Sequence, residues 1–166
     1  MHEDKLPEIA GVFRAVMGKR ALLIPEARKF SALSLEADLF LARSMTFTGK
    51  VRGGLLLAMP ERTAGYLAAK FFGMEGEDPL KPLSALSSRD GGRDSLGEIL
   101  DITCSFMLIA LFGEGEPFGL SHPTPLSLAG REIALLARKQ GSQVFVLDDS
   151  PVLLQATFCP PVRMQA

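Results

Sequence analysis

One long apolar helix constrains the fold of this chain more than any other feature of its sequence. Four polar residues recur in the segment 94–112 at spacings of four, three and four: Asp94, Glu98, Asp101 and Ser105. At about 100° per residue they fall within roughly 60° of one another, in a single narrow stripe. The rest of the circumference is apolar: Leu96, Ile99, Leu100, Ile102, Phe106, Met107 and Ile109. Because a surface helix has a broad polar face, this pattern predicts a helix packed into a core everywhere except along the stripe.

The stripe leaves several interpretations open. It can be the solvated edge of a packed helix, with Asp94 as N-cap or first-turn charge. That explains Asp101 poorly, because an acid two turns into an apolar helix is costly unless it faces water or a partner. Carboxylate oxygens also suit Mg²⁺ or Mn²⁺, but one stripe does not complete a coordination shell, so we expect no metal site here. A docking or catalytic surface is the remaining interpretation.

Composition and charge exclude several classes of protein. The chain has 166 residues, 47% hydrophobic and 22% charged, which predicts a single globular domain over 1–166. Eighteen basic and nineteen acidic residues without a basic run give no electrostatic support for nucleic-acid binding. The charged N-terminus is unlike a signal peptide, and Asp101 interrupts the longest apolar stretch, so we expect a cytoplasmic protein that does not enter a membrane. Cys104 and Cys159 lack metal-ligand or paired spacing and are expected to be reduced thiols, with Cys104 in the core.

Periodicity predicts three helices, several hairpin strands and one surface linker. The predicted helices cover 6–18, 60–73 and 94–112. The predicted strands cover 21–24, 39–48, 51–59, a bent or edge segment within 118–128, 133–139 (strand preferred over helix), 144–147 and 152–158. The segment 75–92, rich in Pro, Ser, Gly and charge, is expected to be a flexible linker. Because helices interrupt sets of hairpins, the predicted class is α+β, with long helices on one face of a largely antiparallel sheet.

The motif Asp94-x-x-Gly97-Glu98-x-x-Asp101 resembles the CheC/CheX family of bacterial chemotaxis phosphatases. The family pattern on this helix is D-x-x-G-E-x-x-N, usually with a glycine four residues further on. The resemblance continues through three other segments: the hairpin at 49–61, the helix end at 64–75 and the [IL]-S-x-P-x-x-x-x-G stretch at 120–130. One such motif helix per chain is similar to CheX, whereas CheC carries two.

The resemblance implies a CheC-like α+β domain that removes the aspartyl phosphate of a CheY-type response regulator. Glu98 would pair with the active-site Lys of the receiver domain, and Asp94 and Ser105 would lie on the same partner-binding surface. The residue at 101 would orient the attacking water. The Mg²⁺ of that reaction belongs to the receiver, so the chain is expected to need no cofactor of its own. CheX also forms homodimers through sheet edges, which implies a homodimer here.

This sequence departs from the family pattern at two positions. Asp101 stands where the family has Asn, and Ser105 stands where glycine is expected. An ionised Asp101 accepts hydrogen bonds but donates none, and it brings negative charge towards a phosphoryl group. Two hypotheses follow: a phosphatase with Glu98 and Asp101 as catalytic residues, or a non-catalytic receiver-binding module of the same fold. The sequence does not distinguish chemotaxis from another two-component pathway.

Overall fold

The computed structural model describes residues 5–20, 25–29, 39–71, 95–147 and 149–159. Within these ranges the chain forms four helices and one seven-stranded sheet. The helices are α1 (Leu6–Arg20), α2 (Glu61–Phe71), α3 (Ser95–Phe112) and α4 (Gly130–Ala137). The strands are β1 (Glu26–Arg28), β2 (Leu39–Thr48), β3 (Arg52–Pro60), β4 (Gly119–Leu120), β5 (Thr124–Ala129), β6 (Ser142–Leu147) and β7 (Ser150–Cys159).

The sheet is antiparallel at each strand pairing, in the order β1-β6-β7-β3-β2-β4, with β5 also paired to β2. Two hairpins, β2–β3 and β6–β7, form its centre, and both follow the predicted strand segments closely. At Gly53 in β3, a Cβ would lie 2.5 Å from the Phe47 ring and closer still to the Thr157 carbonyl. Only glycine therefore fits this position without a shift of its neighbours.

Side chains alternate between the two faces of the sheet, as the pleat requires. Met45 and Phe47 of β2 belong to a large core, whereas Phe40 and Ala42 of the same strand belong to a smaller one on the other face. Residues of α1, α2 and α3 complete the large core. Ile133 of α4 completes the small core. The three long helices thus lie on one face, as predicted, and the short α4 lies on the other.

Helix α3 is the central helix of the large core. Ile99, Leu100, Cys104 and Met107 are fully buried. Lys5 Nζ lies 4.9 Å from the centroid of the Phe112 ring, so the start of α1 is beside the end of α3 and the two helices run antiparallel. By length and apolar composition α3 would also pass as a membrane span, but half of it is buried inside the fold. The core helix of a soluble domain has the same character.

The α+β class is confirmed, but the predicted elements missed the short strand β1 (Glu26–Arg28) and contain one wrong assignment. The segment predicted as a strand at 133–139 is helix α4. Its partly buried apolar residues Ala134, Leu136 and Ala137 pack with Ile133 against the small core, which is helical spacing. The Glu132 carboxylate accepts a hydrogen bond of 2.7 Å from the Ala129 backbone N–H and fixes the start of the helix. The predicted strand 21–24 and linker 75–92 lie outside the described residues.

Candidate functional site

The exposed face of α3 presents two carboxylates of the predicted stripe. Glu98 and Asp101 are exposed, while Leu96, Ile99 and Leu100 beside them are buried. The two acids are three positions apart in the helix, which corresponds to an axial rise of about 4.5 Å between them. Because the opposite side of α3 is packed into the core, the backbone that carries both acids is held in place.

The other two stripe residues have different positions. Ser105 is half-buried, and its hydroxyl donates a 3.0 Å hydrogen bond to the backbone carbonyl of Asp101. This is the usual backbone contact of a serine within a helix, and it does not engage the Asp101 carboxylate. Asp94 lies outside the described residues, so its predicted helix-starting and partner-binding roles stay predictions.

Cys104 shows how Asp101 acts on its surroundings. Burial, and then the negative charge of Asp101, raise the pKa of the Cys104 thiol from 9.0 to about 12. The thiol is therefore protonated at neutral pH and is not a nucleophile. The prediction that Cys104 belongs to the core is confirmed. Cys159 is exposed, and both cysteines are free thiols.

The same exposed face continues as an apolar surface. Phe106 is 54% and Ile109 43% exposed, and Ile102 is half-buried. The sequence-based assignment of Phe106 and Ile109 to the core was therefore wrong. Eleven residues after Glu98, Ile109 returns to within about 20° of it around the helix axis, so the helical spacing itself indicated this exposure.

A groove of about 680 Å³ separates this apolar surface from α1. Its walls include Val12 and Ala15 of α1 and Phe106 and Ile109 of α3. Two basic residues at the end of α1, Lys19 and Arg20, also line it. Since the helices run antiparallel, Lys19 and Arg20 lie towards the end of α3 that carries Ile102 and Asp101.

Metal binding gains no support from the described part of the chain. No group of three or more His, Cys, Asp or Glu residues that could hold a metal ion occurs among the described residues. Of the stripe acids, Glu98 and Asp101 are the two within that part. A cation at this site would need further ligands from a partner or from water.

Comparison with solved structures identifies the class of fold. A CheC-like superfamily protein from Shewanella sp. PV-4 matches with a TM-score of 0.64 at 15% identity, covering 96% of this chain and all of that one. The chemotaxis protein CheX from Vibrio vulnificus matches with a TM-score of 0.63 at 14% identity, covering 91% of this chain and 93% of that one. The chain therefore has the fold of the CheC and CheX chemotaxis proteins.

A third match is a structure of the CheX–CheY–BeF3–Mg²⁺ complex from Borrelia burgdorferi. Its TM-score is 0.59 at 16% identity, and the alignment covers 96% of this chain and 99% of that one. The search with family models found no match, and the search of curated proteins found none either. The structural matches establish the likeness of fold. Because the identities are this low, the function has to be argued from the residues.

Proposed function

We propose that this chain is a CheX-like protein that binds a phosphorylated CheY-type receiver domain through the exposed face of α3 and hydrolyses its aspartyl phosphate. The observation that carries the proposal is the exposure of Glu98 and Asp101 together, on the helix that resembles the family motif. The B. burgdorferi complex supports it, because a protein of the same fold is found there with CheY. By this proposal the protein acts in chemotaxis signalling in the cytoplasm.

Glu98 is proposed to dock the helix. An exposed carboxylate on a fixed helix can pair with the active-site Lys of a receiver domain, where exclusion of water strengthens the charge-assisted hydrogen bond. Packing of α3 into the core holds the backbone at Glu98 in place before the partner arrives. Little ordering of the helix is therefore required on binding.

Asp101 is proposed to position the attacking water. Phosphoryl transfer depends largely on positioning and electrostatic stabilisation. The water oxygen forms a bond to phosphorus as the bond to the receiver's aspartyl oxygen breaks, and the Asp101 carboxylate accepts the water proton. The Mg²⁺ that neutralises the phosphoryl oxygens is bound by the receiver, so the chain supplies no cofactor of its own.

The carboxylate at 101 also favours a second candidate function, a receiver-binding module without hydrolysis. Two unit negative charges at 4 Å repel by about 4 kcal/mol at an effective dielectric constant of 20. A barrier raised by that amount slows the reaction about a thousandfold. An Asn at this position would remove the repulsion and supply an N–H donor.

Phosphate release from phosphorylated CheY-type receivers separates the two candidates. The wild-type protein, Asp101→Asn and Asp101→Ala are compared, with Asp149→Asn, an exposed turn residue, as the matched control. Acceleration by the wild-type protein supports the phosphatase. Binding without acceleration, together with hydrolysis by Asp101→Asn, supports the binding module. A wild-type protein that binds none of the receivers tested contradicts both.

A homodimer through sheet edges is part of the proposal. Among the described residues, β1 ends the sheet on one side, while β4 and β5 pair with β2 on the other, where Leu120 and Leu126 are exposed. Edge strands carry unpaired backbone groups that can pair with a second copy. Sedimentation velocity over a concentration series tests this, and a monomer at all concentrations would contradict it.

A further inference from the structure

The groove between α1 and α3 is unusual because it is apolar and still open. Phe106 and Ile109 leave about half of their side-chain surface exposed at its rim. Its volume of about 680 Å³ lies in the range of ordinary binding pockets. Contiguous exposed apolar surface of this kind marks a binding surface more often than isolated exposed residues do.

The groove is close enough to Glu98 to lie within a protein interface of ordinary size centred there. Phe106 lies eight residues after Glu98, about 12 Å along the helix axis. A standard protein interface buries about 800 Å² on each partner, equivalent to a disc of about 16 Å radius. An interface of this size centred on Glu98 therefore extends to the Phe106 part of the groove.

The charges around the groove indicate what the contacting surface carries. Lys19 and Arg20 line the end of the groove nearest Asp101. They are the last two residues of α1, where the helix dipole adds negative and not positive potential, so the positive potential comes from the side chains themselves. A partner that combines an apolar side chain with a neighbouring carboxylate is complementary to this arrangement.

We propose that this groove is a second docking subsite for the receiver domain. An apolar side chain of the receiver inserts beside Phe106 and Ile109, and a carboxylate of the same receiver pairs with Lys19 or Arg20. The inference rests on the proposed function, and it adds α1 to the recognition surface. Affinity for the receiver then depends on both helices, whereas the chemistry depends on Glu98 and Asp101 alone.

Titration of beryllium-fluoride-activated CheY-type receivers into the full chain measures how much the groove contributes to receiver affinity. Phe106→Ala is expected to raise Kd about tenfold, and the double variant Lys19→Glu with Arg20→Glu about tenfold as well, with a weaker salt dependence. The matched controls lie on the other face of the sheet: Leu135→Ala, and Arg131→Glu with Lys139→Glu. Glu98→Gln reports on the proposed function separately.

The outcomes distinguish the two proposals. Loss of affinity in Glu98→Gln alone, with the groove variants binding as the wild type does, overturns the second subsite and leaves the proposed function standing. Loss of affinity in the groove variants with unchanged melting temperatures supports the subsite. Groove variants that alter self-association and leave receiver binding unchanged assign the groove to a second copy of the chain and overturn the inference. A wild-type chain that binds no receiver removes both proposals.

Discussion

The two faces of the central sheet carry helices of different character. On one face, α3 combines buried Ile99 and Leu100 with an outer surface on which acids and large apolar side chains are contiguous. On the other face, α4 buries Ile133 and exposes a single large apolar residue, Leu135, at 63%. Leu135 is individually more exposed than Phe106, yet α4 exposes no second large apolar side chain beside it. We infer the proposed binding surface on α3 from the neighbours of its exposed apolar residues and not from their exposure alone.

The faces also differ in how much packing surrounds their helices. Helix α3 has 18 residues and packs between α1, α2 and the sheet, whereas α4 has eight and packs against the small core. A recognition site benefits from side chains fixed on a rigid element. The large core is thus part of the reason why Glu98 and Asp101 are suited to docking.

The largest expected effect is on folding. Ile99→Ala on α3 should lower the free energy of unfolding by about 3–4 kcal/mol, because it leaves a cavity in the large core. Ile133→Ala on α4 should cost about 2–3 kcal/mol, since the small core can collapse around the missing atoms. Urea unfolding measures both, with Leu135→Ala as the surface control, expected within about 0.5 kcal/mol of wild type. An equal or larger loss for Ile133→Ala would contradict the difference between the faces.

The next effect is on binding. Glu98→Gln removes the docking charge and should weaken receiver binding by about thirtyfold to a hundredfold, or roughly 2–3 kcal/mol. The melting temperature should not change, because Glu98 is exposed. Isothermal titration calorimetry checks the affinity, with Glu114→Gln, an exposed acid beyond the end of α3, as the matched control. Equal affinities of the two variants would remove Glu98 from the docking surface.

A smaller effect concerns alkaline pH. The folded pKa of Cys104 lies at about 12, above its ordinary 9.0, so its thiol stabilises the fold fully below pH 9. Above that pH the unfolded chain loses the proton first, and stability should fall by up to about 1.4 kcal/mol per pH unit until the folded thiol ionises near 12. Comparing wild type and Cys104→Ala by urea unfolding between pH 8 and about 10.5 isolates this contribution. Equal pH slopes for the two proteins would contradict it.

The smallest effect compares the two thiols directly. At pH 8, Cys159 should react with a thiol reagent while Cys104 stays unmodified, because one is exposed and the other is buried and protonated. Mass spectrometry after limited labelling counts the modified sites, and Cys159→Ser serves as the control. Rapid labelling of Cys104 in the folded protein would mean that α3 opens readily, which would weaken the contrast between the faces.

Sequence reasoning predicted the elements with strong periodicity and failed on a short one. The strands of both central hairpins contain short apolar runs next to turn residues, and the striped helix repeats every 3.6 residues, so these patterns were sufficient to predict them. The segment at α4 has eight residues between strands, too few for its period to be distinguished. Its helical state follows from the capping contact of Glu132 and from packing on the small core.

Some features of the candidate site could likewise be predicted from the sequence, and others could not. The sequence by itself determined that Glu98 and Asp101 share one narrow side of an otherwise apolar helix, because side-chain direction follows from the helical repeat. The same repeat places Ile109 beside Glu98, but tertiary structure decided that Phe106 also stays exposed and that Lys19 and Arg20 line the same groove. The physical reason is that a helix's period is a property of its own segment. Burial depends on where the neighbouring helix lies, and α1 leaves this part of α3 uncovered.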